Sequence, residues 1–234
     1  MMQLPQKHNI NKDAGFTIME SLIAMVVVSS LMLAISPVLI LSASTRVQSR
    51  RVELSAQIAR SFIDGVRSGR ITAEDIPTVN ININQNALSS RNITNSTDGY
   101  LFSSASMAAP TSETKKDLYC VQSDGTIQPP DCYSNQNNLF YIQAGRTSIN
   151  GSDPKDGYRL AVRVYRQDIE FDNPDRPVLA NTNTTKNTQA VVGSGNKQAP
   201  LVEIIADIAN NNTSFTDLCN RLGFRAGSAT IPCS

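Results

Sequence analysis

Histidine is almost missing from this sequence: His8 is the single copy in 234 residues. A Ser-His-Asp triad, a Cys-His nucleophile or a His-containing zinc site would have to use that one residue, which precedes a long apolar run. Those chemistries are therefore excluded from everything that follows the run, although carboxylate pairs and Ser-Lys chemistry are not. An enzyme is not the expectation. A strong net charge is missing as well. The 21 Lys and Arg against 20 Asp and Glu leave +1, so the overall balance points neither to nucleic acid nor to an anionic surface. Internal repeats are absent, and so is the close C-x₂₋₄-C spacing that a zinc site would want. Charge is wholly absent from residues 21–45. The 40% hydrophobic content is ordinary for a globular chain of one or two domains, but it is unevenly spread.

What is present begins with that uncharged run. As a helix, its 25 residues (21–45) would extend about 37 Å, more than the roughly 30 Å hydrocarbon core of a bilayer. It is too long for an ordinary secretory h-region, yet Ser42-Ala43-Ser44 is a passable small-x-small cleavage site, and a conventional signal peptide stays open. The flanking charges conflict. Lys7 and Lys12, with Asp13, precede the run, while Arg46, Arg50 and Arg51 follow it, so the positive-inside rule slightly favours the reverse orientation. The cysteines argue the other way. Cys120, Cys132, Cys219 and Cys233 all lie far beyond the run, in two close pairs with 11 and 13 residues between partners. Four cysteines allow three connectivities, among which sequence does not choose. Local pairing, Cys120–Cys132 and Cys219–Cys233, is the economical expectation, each loop being worth about 3 kcal/mol by chain entropy. Disulfides imply an oxidising compartment and place the C-terminal part outside the cytoplasm.

Residues 46–68 continue in helical rhythm. Leu54, Ile58, Phe62 and Val66 recur every four residues, with Val47 and Ile63 near the same face and charged residues largely elsewhere. Gly69 is placed to cap this helix, Gly65 weakens its last turn, and Pro37 should kink or loosen it further up. Beyond Gly69, residues 80–98 are rich in Asn and Ser and read as irregular. Strands are predicted over 117–122, 139–143, 158–165 and 201–208. The third is the clearest: Tyr158, Leu160, Val162 and Val164 alternate with Arg159, Arg163 and Tyr165, as in a half-buried strand. Residues 69–234 thus read as one mostly antiparallel β module packed on the 46–68 helix, an α+β architecture.

The most informative constellation is Gly15-Phe16-Thr-Ile-Met-Glu20-Ser-Leu at the head of the membrane-length segment. Glu20 stands one turn inside a stretch with no other charge, a costly place that calls for a function and a partner. A glutamate at the membrane edge is the plain structural alternative. These residues, the apolar length and Pro37 together resemble the type IV prepilin signature shared by pilins and the pseudopilins of type II secretion systems. The resemblance covers residues 13–45 densely. It implies a leader over 1–15, a transmembrane and assembly helix over 16–45, an amphipathic continuation over 46–68 and a β-rich head over 69–234. It also implies cleavage after Gly15 by a prepilin peptidase, methylation of the new Phe16 N-terminus, and a mature chain without histidine. Glu20 would be the assembly glutamate, paired with the Phe16 amine of a neighbouring subunit; a buried carboxylate needs such an opposite charge.

Residues 46–69 narrow the likeness, since they resemble cyanobacterial pseudopilins linked to hormogonium polysaccharide secretion. The implied role is structural: a minor pilin or pseudopilin in a filament supporting polysaccharide export and gliding motility. Its partners would be other pilin subunits, an inner-membrane assembly platform and membrane lipid, with no cofactor, metal or nucleic acid. A major pilin is the alternative within the class, and a signal-anchored periplasmic enzyme or binding module the alternative outside it. Two further motifs are weak. Asp168, Glu170, Asp172 and Asp175 could gather around Ca²⁺ but lack the EF-hand glycine and terminal glutamate spacing, so a solvated turn is the expectation. Gly193-Ser-Gly195 lacks the context of a phosphate-binding loop.

Overall fold

A computed structural model describes residues 17–81, 107–134, 137–149, 153–181, 189, 195–210 and 212–215. The chain divides into two compact units, residues 1–44 and 45–234. Helix α1 runs Ile18–Arg67 and contributes to both. Six strands follow among the described residues: β1 (Thr78–Ile81), β2 (Tyr119–Gln122), β3 (Ile127–Gln128), β4 (Asn138–Ile149), β5 (Tyr158–Arg166) and β6 (Val202–Ile208). They form one sheet in the order β3-β2-β4-β5-β6, antiparallel throughout, with β1 added in parallel beside the end of β4. The layout is α+β. All four predicted strands are present, β4 being far longer than predicted, whereas β1 and β3 are unannounced in the sequence.

The sheet is filled on one side by the last turns of α1. Tyr119, Ile142, Val164 and Val202 are successive partners across four strands, and they lie in the same apolar cluster as Phe62, Ala59, Ile63 and Val66. Phe62 is wholly buried and meets Tyr119 edge-on at 4.9 Å between ring centroids. The predicted face holds at Phe62, Ile63 and Val66, which are buried, and at Ile58, which is half-buried against the core, but not at Leu54 and Val47. The buried positions are Gln48, Ser55, Ala59, Phe62, Ile63, Gly65 and Val66, with Val52 partly buried, while Leu54 and Val47 are exposed. The cause is geometric. At 3.6 residues per turn a step of four residues overshoots by about 40°, so a strict every-fourth row winds away from the sheet. The seam that stays on the sheet alternates steps of three and four, and it uses the small Ser55 and Ala59.

The helix ends where predicted. Gly69 takes φ 73°, and the N–H groups of Gly69 and Arg70 bond to the carbonyls of Val66 and Gly65 at 3.1 and 3.0 Å, the paired closure of a Schellman motif. Gly65 has its own reason to be there. The chain folds back after the cap, and a Cβ on Gly65 would meet Ile71 Cδ1 at 3.2 Å.

Strand β5 corrects the expectation of a half-buried strand, because both its faces are covered. Cys120, Tyr141 and Tyr165 are cross-strand partners on the far face, clustered with Leu118 and Ile169 beneath Phe171 and Val178. Beside them runs a polar row, Gln143, Arg163 and Glu203, in register across β4, β5 and β6, its two outer members half-buried. Arg163 is fully buried; its Nε donates to Glu203 Oε1 at 2.7 Å and its Nη1 to Gln143 Oε1 at 3.2 Å and to the Met107 carbonyl. Asn181 donates to the other oxygen of Glu203. The alternating arginine thus marked a second interior rather than a solvent face, its charge matched by one carboxylate.

Candidate membrane and assembly helix

The first described residues of α1 form a cap. Thr17 Oγ1 accepts from the Glu20 N–H at 3.3 Å, and the Thr17 carbonyl accepts from the N–H groups of Glu20 and Ser21 at 3.0 and 3.1 Å. Thr17-Ile-Met-Glu20 has the S/T-x-x-E spacing of a capping box, with the carboxylate at the positive end of the helix dipole. Sequence reasoning gave Glu20 only an assembly or membrane-edge role; the three-residue spacing back to Thr17 was the signal it passed over. The Glu20 side chain is exposed and has no hydrogen-bond or ion-pair partner among the described residues.

From residue 18 to residue 43 every side chain is exposed, including Leu22, Ile23, Met25, Leu31, Met32, Ile35, Leu39 and Ile40. This segment has the length and composition to cross a membrane, and among the described residues none of it is buried. Some hydroxyls in and just after it are already satisfied by the helix itself. The hydroxyls of Ser21, Ser30 and Ser44 donate to the carbonyls of Ile18, Val27 and Leu41, three residues back, at 2.8, 2.8 and 3.0 Å. Donors satisfied within the helix cost little when water is removed. Pro37 lies inside the helix, which continues through it; proline has no N–H to give to the Leu33 carbonyl four residues back. Gly15 and Phe16, the predicted processing residues, lie outside the described residues.

In the head, Cys120 and Cys132 form the predicted disulfide, with Cα atoms 5.9 Å apart. It ties β2 to the segment after β3 and sits against Tyr141 and Leu118. Cys219 and Cys233 lie outside the described residues, as does Gly193. Gly195 has φ 71° and abuts polar side chains; an added Cβ would come within 2.5 Å of Gln48 Nε2 and 2.6 Å of Gln189 Oε1. Those two atoms bond to each other at 3.1 Å, and Gln189 Nε2 donates to the carbonyls of Asn196 and Ala199 at 2.8 and 2.7 Å. Gly195 is there to let a loop approach α1, a role no sequence pattern signalled.

The acidic stretch 168–175 does not converge on a common point. Asp168 takes a two-pronged contact from Arg166 at 2.7 and 2.6 Å, Glu170 is paired with Lys197, and Asp172 with Lys115 at 3.1 Å. Hydrogen bonds from Lys197 and Asn173 hold the Glu170 carboxyl below the usual range. Among the described residues no group of three His, Cys, Asp or Glu is arranged to hold a metal ion. No family model, no curated protein and no solved structure matches the chain.

Proposed function

We propose that this chain is a pilin-like structural subunit: a minor pilin or pseudopilin that waits in the inner membrane and is then built into a filament. The observation that carries the reading is a helix of two characters. Residues 18–43 expose apolar side chains all round, and the same helix goes on to form one wall of the head's core. A segment that no other described residue covers suits lipid first. Once it leaves lipid it needs other subunits, because water would penalise its surface by about 25 cal/mol per Å². The prepilin-like residues around Gly15 and Glu20 supply the means of release and of register. Support for polysaccharide export and gliding motility is the narrower form of the proposal, and the role is structural rather than catalytic.

N-terminal mass analysis of the membrane-bound protein is the direct test. Cleavage between Gly15 and Phe16, with a methylated Phe16, is expected. An intact Met1 would favour a signal-anchored protein, and a start at Thr45 conventional signal-peptide cleavage; either defeats the proposal. Glu20→Ala and Glu20→Gln separate assembly from capping. The Thr17 hydroxyl still accepts the backbone N–H at position 20 in both variants, so the helix start survives. An amine left buried without its carboxylate costs roughly 3–5 kcal/mol. Both variants should therefore be cleaved and inserted, yet be depleted at least about tenfold from sheared filaments in competition with wild type, since 1.4 kcal/mol suffices for that factor. Equal incorporation would remove the assembly role.

A further inference from the structure

Two sets of arginines among the described residues differ in their surroundings. Those on the sheet are occupied: Arg159 with Asp207, Arg163 with Glu203, Arg166 with Asp168, and Arg146 with the Ile76 carbonyl. Arg46, Arg50 and Arg51, directly after the apolar segment, are different. Arg46 and Arg50 are exposed and Arg51 is half-buried, and none has a hydrogen-bond or ion-pair partner among the described residues. They also conflict with the positive-inside rule if the head is outside.

We infer that Arg46, Arg50 and Arg51 form a collar that binds the phosphates of anionic phospholipids at the head-proximal end of the membrane segment. The spacing fits. The hydrocarbon-compatible run ends at residues 42–45, and a helical rise of about 1.5 Å per residue spreads the three arginines over about 8 Å. Counted from residue 45, Arg46 and Arg50 lie within about 8 Å, the depth of a bilayer's polar layer, and Arg51 at about 9 Å stands at its outer edge, within reach of its long side chain. Positions 46 and 50 share one helix face, and position 51 lies roughly 100° further round, so the charges wrap the helix rather than line one stripe. Guanidinium groups match phosphate oxygens in a two-pronged geometry, and their stems can lie along apolar surface while the heads reach the phosphates. Among the described residues of a near-neutral chain, Arg46, Arg50 and Arg51 thus form a cationic cluster without an answering carboxylate, placed where lipid phosphates lie. The inference rests on the membrane-anchored reading above and assigns that anchor a lipid class.

The test uses the full chain in vesicles of phosphatidylcholine with a minority of phosphatidylglycerol. Electron spin resonance of spin-labelled lipids reads which species is motionally restricted beside the helix. Wild type should favour the phosphatidylglycerol label over the phosphatidylcholine label, and the preference should weaken with salt. The R46Q/R50Q/R51Q variant should lose at least about fivefold of it, the effect of one basic residue near a charged surface. R46K/R50K/R51K keeps the charges and should keep most of the preference, while K7Q/K12Q, altered at the other end, should leave it unchanged. No preference in wild type, or a preference that survives the triple Gln variant or vanishes in the triple Lys variant, overturns the inference. So does loss of the preference to a soluble acidic polysaccharide, which would identify another polyanion as the ligand. A chain that fails to float with vesicles defeats the anchored reading itself; one that floats without lipid preference defeats only the collar.

Discussion

Residues 18–43 and residues 45–67 lie on one helix, yet their apolar side chains are distributed by different rules. In the first stretch apolar residues cover every side and all are exposed. In the second the buried ones gather on one face, around a seam of alternating three- and four-residue steps; Phe62 and Ala59 are completely buried while Val47 and Leu54 stay exposed. An amphipathic pattern needs one wet face and one covered face, so it is the mark of a helix with a protein partner in its own chain. A helix apolar all round has no such partner, and its solvent must come from elsewhere.

The sharpest way to break this contrast is to truncate one large apolar residue in each stretch. Phe62→Ala should destabilise the head by about 3–5 kcal/mol, the range for emptying a buried aromatic site. Leu31→Ala should leave head unfolding unchanged, because no core contact is lost. Thermal melts of the two variants in the same detergent check both, and comparable losses would mean that the apolar stretch is packed on the head after all.

The polar row centred on the buried Arg163 offers a second test of similar size. Arg163→Met should cost about 3–5 kcal/mol, because Glu203 keeps its charge but loses the guanidinium. The double variant Arg163→Met/Glu203→Leu should recover much of that loss. Chemical denaturation of the four proteins gives the coupling, and additive losses would show that Arg163 acts as bulk rather than as charge. Removing the disulfide by Cys120→Ser/Cys132→Ser should be somewhat milder, about 3 kcal/mol for a loop of this length. The reduced wild type should behave alike.

The smallest effect expected is one of pH, and it belongs to the head alone. Burial, helped by Asp75, pushes the Tyr119 phenol up to about 12, and burial likewise raises Tyr158 and Tyr165. A raised folded-state value means that the neutral phenol is favoured in the fold. This contribution is complete below the unfolded value of about 10 and is lost as pH climbs toward the folded one. Head stability should therefore fall above pH 10, with phenolate absorbance appearing late for these three tyrosines. Ordinary titration of all the tyrosines near 10 would contradict their burial.

The sequence by itself determined whatever depends on local order. The apolar segment, the cap at Gly69, the main strands and the Cys120–Cys132 pair were legible because run length, glycine placement and short spacings act between near neighbours. Thr17, which caps the helix through the Glu20 N–H, lies within the same range of near neighbours and was passed over. Tertiary structure decided the rest. Which face of 45–67 turns inward depends on a sheet assembled from strands as far away as β6. The second covered face of β5 depends on loops whose composition reads as polar, and there the alternation of Arg163 with valines was misleading. An arginine faces water or a glutamate forty residues away for reasons that no window of neighbours contains, because its partner is chosen by strand register. The lone Gly195 and the separated carboxylates of 168–175 follow the same physics: close approach and charge pairing are set between distant segments, after the chain has folded.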